Sequence, residues 1–274
     1  IASWLAAPAP MGALDFVSPH TQGAAAFVFK GPSLVFDDAV GLIATNDSAA
    51  RDELARLESK LDLSLREDLA ATLGGEFALA LDGPLLPTPA WKLVVEVYDP
   101  ARLQASLELL VTRANDEAAS AGKPGLRLEA EQVGARTYYS LRAEDLPFEL
   151  HYTFADGYWV VCPSRALVMQ ALRARDTGES LGRSADFRVL FPGDGQDHVS
   201  GVAYQNLGPM MGSFMDLSRS AQLTPEQRRS LDALGRSTKP SLICAYGLPD
   251  GIQVSGTVGG LDLDPTSLAL PILL

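Results

Sequence analysis

The pattern of apolar residues predicts an α+β protein, mainly an antiparallel sheet with helices packed on one face, containing an internal duplication of a β-helix-helix-hairpin unit. Three observations predict it. Residues 125–162 alternate apolar and polar positions around turn signals, as half-buried strands do. Capped stretches of helical period separate such strands elsewhere. The last third of the chain repeats the order of elements and two breaker positions of the first.

Gly23 to Lys30 reads as the first strand, broken by Gly31-Pro32-Ser33. Leu34, Val35, Ala39, Val40 and Ile43 then follow a helical pattern up to the polar loop Asn46-Asp47-Ser48, a glycosylation sequon that reads as an exposed loop. A second helix carries Leu54, Leu57 and Leu61. Ser64 with Glu67 reads as a capping box for a third, with Leu65, Leu69 and Leu73, and Gly74 is expected to end it as a left-handed C-cap. Strands follow at Glu76 to Leu81 and Lys92 to Tyr98. In the second, Leu93, Val95 and Val97 mark a buried face and Lys92, Glu96 and Tyr98 a wet one. Asp99-Pro100 starts a helix whose stripe is Leu103, Leu107, Leu110, Val111 and Ala114.

Leu126, Leu128 and Ala130 alternate with Arg127, Glu129 and Glu131, Gly134 turns the chain, and Thr137 to Leu141 returns. A second hairpin places Phe148, Leu150, Tyr152 and Phe154 on one face, turns at Asp156-Gly157 and continues through Trp159, Val160 and Val161. These four strands are expected to be consecutive antiparallel neighbours. Ser164 caps a helix from Arg165 to Arg175 that Gly178 closes.

The strand His198 to Asn206 leads into Gly208-Pro209 as the first strand leads into Gly31-Pro32. An apolar helical stretch with Met210, Met211, Phe214 and Met215 follows, then a helix from Thr224-Pro225 that stops at Leu234-Gly235, as the earlier one is expected to stop at Leu73-Gly74. Ser241 to Tyr246 and Ile252 to Val258 close the fold as a hairpin around Asp250-Gly251. The domain reading is therefore a tail or linker at 1–12, a single α+β domain at 13–260 and a C-terminal tail at 261–274. Its related halves are 23–98 and 198–258, around the central hairpins 125–162.

With 22 Lys plus Arg against 34 Asp plus Glu, the formal net charge of −12 argues against nucleic acid and anionic bilayers as partners. No stretch has the roughly 18–20 apolar residues of a membrane helix. The opening Ile1-Ala2-Ser3-Trp4 is compatible with a processed signal peptide, a membrane anchor outside the chain, or a cut from a longer chain. Cys162 and Cys244, on separate strands, read as free buried thiols, with a disulfide between them as the alternative.

Five phrases carry a family resemblance: LDLSLREDLAATLGGEFALAL (61–81), LVVEVYDPARLQASLELL (93–110), ADGYWVVCPSRALVMQAL (155–172), SLGRSADFRVLF (180–191) and VSGVAYQNL (199–207). Together they resemble the bacterial family known as domain of unknown function 3352. The resemblance runs from about residue 13 onward and implies an exported or membrane-anchored protein, hence a periplasmic or envelope location. It supplies no catalytic or binding residues.

Candidate chemistry is sparse. Gly178-Glu179-Ser180-Leu181-Gly182 matches a nucleophile-elbow pattern but follows a helix instead of a strand, so a loop explains it. Gly74-Gly75-Glu76-Phe77 is similar to part of a diguanylate cyclase signature, without its further acidic residue, and reads as a cap followed by a strand. His20, His151 and His198 are scattered, and Asp194 with Asp197 or Asp262 with Asp264 offer too few oxygens for calcium. No catalytic, cofactor or metal site is expected. The aromatics Tyr138, Tyr139, Tyr152, Tyr158 and Trp159 are the candidate interaction surface, with cross-strand packing as the alternative. The function expected is a non-enzymatic extracytoplasmic interaction or scaffold domain with a protein partner. The alternatives are a carrier of a small apolar ligand or lipid, walled by Met210, Met211 and Met215, and an unrecognised hydrolase using Ser180 or another serine.

Overall fold

The computed structural model describes residues 4–46, 49–83, 88–143, 149–193, 196, 198–206, 208 and 239–257. Within them the α+β expectation holds: ten strands form one antiparallel sheet, with five α-helices around it. In chain order the strands are β1 (Gly23–Val28), β2 (Leu73–Leu81), β3 (Trp91–Val97), β4 (Leu126–Val133), β5 (Arg136–Ala143), β6 (Glu149–Ala155), β7 (Tyr158–Cys162), β8 (Gly201–Gln205), β9 (Ser241–Leu248) and β10 (Gly251–Thr257). The helices are α1 (Pro32–Asn46), α2 (Ala50–Leu61), α3 (Pro100–Ser120), α4 (Arg165–Thr177) and the single turn α5 (Ala185–Arg188). Spatial order is β10-β9-β8-β1-β2-β3-β7-β6-β5-β4, so the central hairpins are consecutive neighbours as expected.

Residues opposite one another on neighbouring strands share a face. One continuous row is Ser255, Cys244, Val202, Ala26, Ala78, Val94, Val160, Thr153, Tyr138 and Glu131. The next row, on the opposite face, runs Gly256, Ile243, Ala203, Ala25, Leu79, Leu93, Val161, Tyr152, Tyr139 and Ala130. The first face holds the main core. Small residues Ala24, Ala26, Ala78 and Ala80 let Phe16, Leu181 and Phe187 approach it, together with Val168, Ala171 and Leu172 of α4. Part of the second face, at β4 to β6, is covered by α3, whose Gln104 accepts the Tyr152 hydroxyl hydrogen bond at 3.0 Å. Ion pairs from Arg66 to Asp37, Arg102 to Asp68 and Lys60 to Glu117 tie α1, α2 and α3 together. Helices therefore lie on both faces, and the expected single helical layer is corrected.

Local signals behave as their chemistry requires. Asp99 and Ser164 accept from the backbone N–H three residues on, capping α3 and α4. Gly178 closes α4 at φ +76°, and Asp156 and Gly157 take positive φ in the two-residue turn between β6 and β7. Ser64 accepts from Glu67 N–H, but its own N–H donates to Asp68 Oδ2 instead of Glu67, and a five-residue π turn, Leu65–Leu69, followed by a 3-10 turn, Ala70–Thr72, stands in place of the helix.

Three expectations fail. Leu73 and Gly74 do not end a helix, because both lie in β2. Gly74 sits at a register irregularity where a Cβ would be 2.3 Å from Glu96 Oε2, and that oxygen accepts from Gly75 N–H at 2.8 Å. Lys92 is not on a wet face, since its side chain has no solvent exposure beneath the core layer. Residues 4–12 are not a loose tail: Leu5 pairs with Phe29, Ala9 pairs with Val199, and Trp4 Nε1 donates to Asp38. The expected helices at Met210–Met215 and Thr224–Leu234, the Leu234-Gly235 stop and the tail 261–274 lie outside the described residues, as do Phe148, the Asp47-Ser48 loop and the acidic candidates Asp194, Asp197, Asp262 and Asp264.

Candidate functional site

The five aromatics do not share one surface. Adjacent strand residues point to opposite faces, so Tyr138 and Tyr158 lie on the core face, and Tyr139, Tyr152 and Trp159 on the other. Tyr158 is buried, with its hydroxyl donating to Glu76 Oε2 at 2.9 Å, and burial pushes its phenol pKa up. Tyr138 receives the Arg165 guanidinium 5.0 Å over its ring. Tyr139 stacks on Tyr152 at 4.8 Å, and Trp159 meets Tyr152 edge-on at 5.9 Å. Burial raises the Tyr152 phenol to about 12, opposed by its bond to Gln104. Beneath α3, that trio and Phe154 make a packed aromatic cluster.

Ser180 is buried, and its hydroxyl donates to Asp15 Oδ1 at 3.2 Å. Asp15 also takes both forks of Arg183, so it anchors the loop after α4 to the Gly12–Phe16 turn. His20 lines the same cleft without hydrogen-bonding Ser180, so among the described residues no imidazole is placed to take the Ser180 proton. His151 Nε2 lies 2.6 Å from Glu149 Oε1, which Arg142 also engages. No three His, Cys, Asp or Glu side chains among the described residues converge to hold a metal ion. Neither Cys162 nor Cys244 is in a disulfide, both are buried, and burial pushes the Cys162 thiol up to about 12, which disfavours its nucleophilic thiolate.

The sequence reading missed an exposed apolar surface. Helix α1 reads PSLVFDDAVGLIATN, yet from residue 32 to 45 none of its side chains is buried. Leu34, Leu42 and Ile43 are 59%, 56% and 57% exposed, and Leu57 of the neighbouring α2, itself without a buried residue, is 45% exposed. Leu79 and Leu81 are open on the same side of the sheet. A helix as rich in apolar residues as this one, whose two charged residues are Asp37 and Asp38, is normally enclosed over most of its surface. Here the enclosure is on one side only.

A second concavity of about 470 Å³ lies beside α5, lined by Met11, Leu14, Phe187, Phe191, Val199 and Val202, with Arg188 and His198 also on its wall. No family model, curated protein or solved structure matches the chain.

Proposed function

We propose that the protein is a non-enzymatic extracytoplasmic interaction or scaffold domain, and that its contact surface is the α1–α2 hairpin. The observation that carries this reading is the exposure of four large apolar side chains, Leu34, Leu42 and Ile43 on α1 and Leu57 on α2. The partner is a protein presenting an apolar groove with a basic rim. Between residues 32 and 61 the sequence carries Asp37, Asp38, Asp47, Asp52, Glu53 and Glu58 against Arg51, Arg56 and Lys60, an excess of three negative charges within a chain of −12. Such a surface repels an anionic bilayer and favours a cationic partner. The extracytoplasmic setting follows from the resemblance to domain of unknown function 3352.

The same reading includes duplication. The triplets β1-β2-β3 and β8-β9-β10 run outward in opposite directions from the antiparallel β1–β8 pair, an order expected of two copies of one unit joined edge to edge. Strands β4 to β7 extend the first copy alone.

A photo-crosslinking residue at Leu42 or Leu57, in the envelope fraction of the native host, is expected to capture one protein species, while one at Val133 on the far edge captures none. Leu42→Glu with Ile43→Glu is expected to abolish capture without unfolding the chain. A monomer without crosslinks at either Leu42 or Leu57 would overturn the reading.

The concavity beside α5 favours a second reading, a carrier of a small apolar ligand. An apolar fluorophore would then bind one site and be lost with Phe191→Glu; unsaturable or unchanged binding counts against it.

A further inference from the structure

Asp82 and Lys92 are the two charged side chains buried among the described residues, with Lys92 wholly inaccessible and Asp82 3% exposed. They flank the connection from β2 to β3. Asp82 N–H donates to Ala90 carbonyl oxygen at 2.7 Å, which holds the two strand ends together, and Lys92 Nζ lies 2.6 Å from Asp82 Oδ2. That same oxygen accepts the Ser18 N–H at 2.8 Å.

As an ion pair this site is poorly served. An ammonium has three N–H donors, and Asp82 is the one hydrogen-bond partner of Lys92 among the described residues. The apolar surroundings include Ala80 and Val94 on the same face. Two charges withdrawn from water cost several kcal/mol each and recover that only when their remaining donors and acceptors are satisfied. A secondary amide fits the contacts better. It has one N–H and one carbonyl oxygen, and Ser18 already donates to the oxygen that would be that carbonyl.

We propose that Lys92 and Asp82 are joined by an intramolecular isopeptide bond that forms once the fold has excluded water. Proton transfer across the 2.6 Å contact gives an amine with a free lone pair and a carboxylic acid whose hydroxyl can leave. The Nζ lone pair attacks Cγ, the new N–C bond forms, and the bond from Cγ to the oxygen that Ser18 does not hold breaks. That oxygen leaves as water with two of the three ammonium protons, and the third remains on the amide nitrogen. The charges cancel, and no oxidant, reductant or co-reactant is consumed. The bond would staple the β2 end to β3 at the centre of the sheet.

The test is the intact mass of the full chain, folded, purified and then denatured for measurement. The expected mass is lower by one water molecule than the sequence requires, and digestion yields a branched peptide joining the Asp82 and Lys92 segments. Lys92→Arg and Asp82→Ala are each expected to restore the unmodified mass, which is readable even where a variant is recovered unfolded. An unmodified parental mass with both segments released as linear peptides would show an ion pair only. A water loss that persists in Lys92→Arg would place the dehydration elsewhere, and either result overturns the proposal.

Discussion

Tyr158→Phe probes how the Gly12–Phe16 turn is held to the sheet. Glu76 Oε2 accepts from Ala13 N–H and from the Tyr158 hydroxyl, each at 2.9 Å. Its carboxyl pKa is raised above 4.5, first by burial and also by the like charge of Glu96, while those two hydrogen bonds pull it down. The sign follows from linkage. The folded chain holds the Glu76 proton more tightly than the unfolded chain, so this contribution to stability is complete below 4.5 and is lost as pH rises through the folded value. Phenylalanine keeps the ring contact with Phe16 at 5.2 Å and removes only the donor. A hydrogen bond to an ionised group contributes about 1.5–3 kcal/mol, and the half-buried position of Glu76 argues for the low end, roughly a tenfold change in the unfolding equilibrium. The loss should be largest where Glu76 is ionised and smaller where it is protonated. Urea unfolding of parent and variant from about pH 4 to about pH 8 measures this difference. A cost that is equal across the series, or larger at the acid end, would refute this account of Glu76.

Three other perturbations have definite outcomes. Phe187→Ala removes a 2% exposed ring that meets Phe191 and Tyr204 edge-on, and is expected to cost about 3–5 kcal/mol in chemical denaturation. Gly247→Ala places a methyl group 2.3 Å from Ala6 carbonyl oxygen and should free residues 4–12 for proteolysis, whereas Gly251→Ala, with open space around it, should not. Asp68→Asn removes a carboxyl held below 3.8 first by Arg102 and then by Ser64 N–H. Its contribution exists above 3.8 and is lost as pH falls, so the variant's stability should decline less steeply in acid, by no more than about 1 kcal/mol because Arg102 is half-exposed.

Much of the fold is legible because its signals are local. Asp99-Pro100, Ser164 and Gly178 act on backbone groups within one helical turn, and Asp156-Gly157 supplies the two positive φ values its turn needs. The environments of Lys92 and Gly74 are set by non-local contacts. Alternation in β3 separates two faces, but which of them is wet depends on whether another layer covers the second one. Here the Gly12–Phe16 turn and α4, far away in sequence, do so. Gly74 looks like a cap in sequence, and its actual constraint is Glu96 on the next strand, β3.

The same limit explains the displaced candidate surface. Tyr138-Tyr139 and Tyr158-Trp159 are adjacent pairs within strands, and period-two geometry alone forbids all four from facing one way. That signal lies in the sequence itself and divides these aromatics between the two faces of the sheet. Helix α1 gave no such signal. An apolar 15-residue helix reads identically whether the chain encloses it or leaves it to a partner, because periodicity reports the helix and not what lies against it. The difference is carried by exposure: Leu34, Leu42 and Ile43 are each more than half open while α3, on the same side of the sheet, buries Leu103 to 2%. The proposed contact surface therefore rests on the helix whose composition and environment disagree, and not on the aromatic strands, whose composition and environment agree.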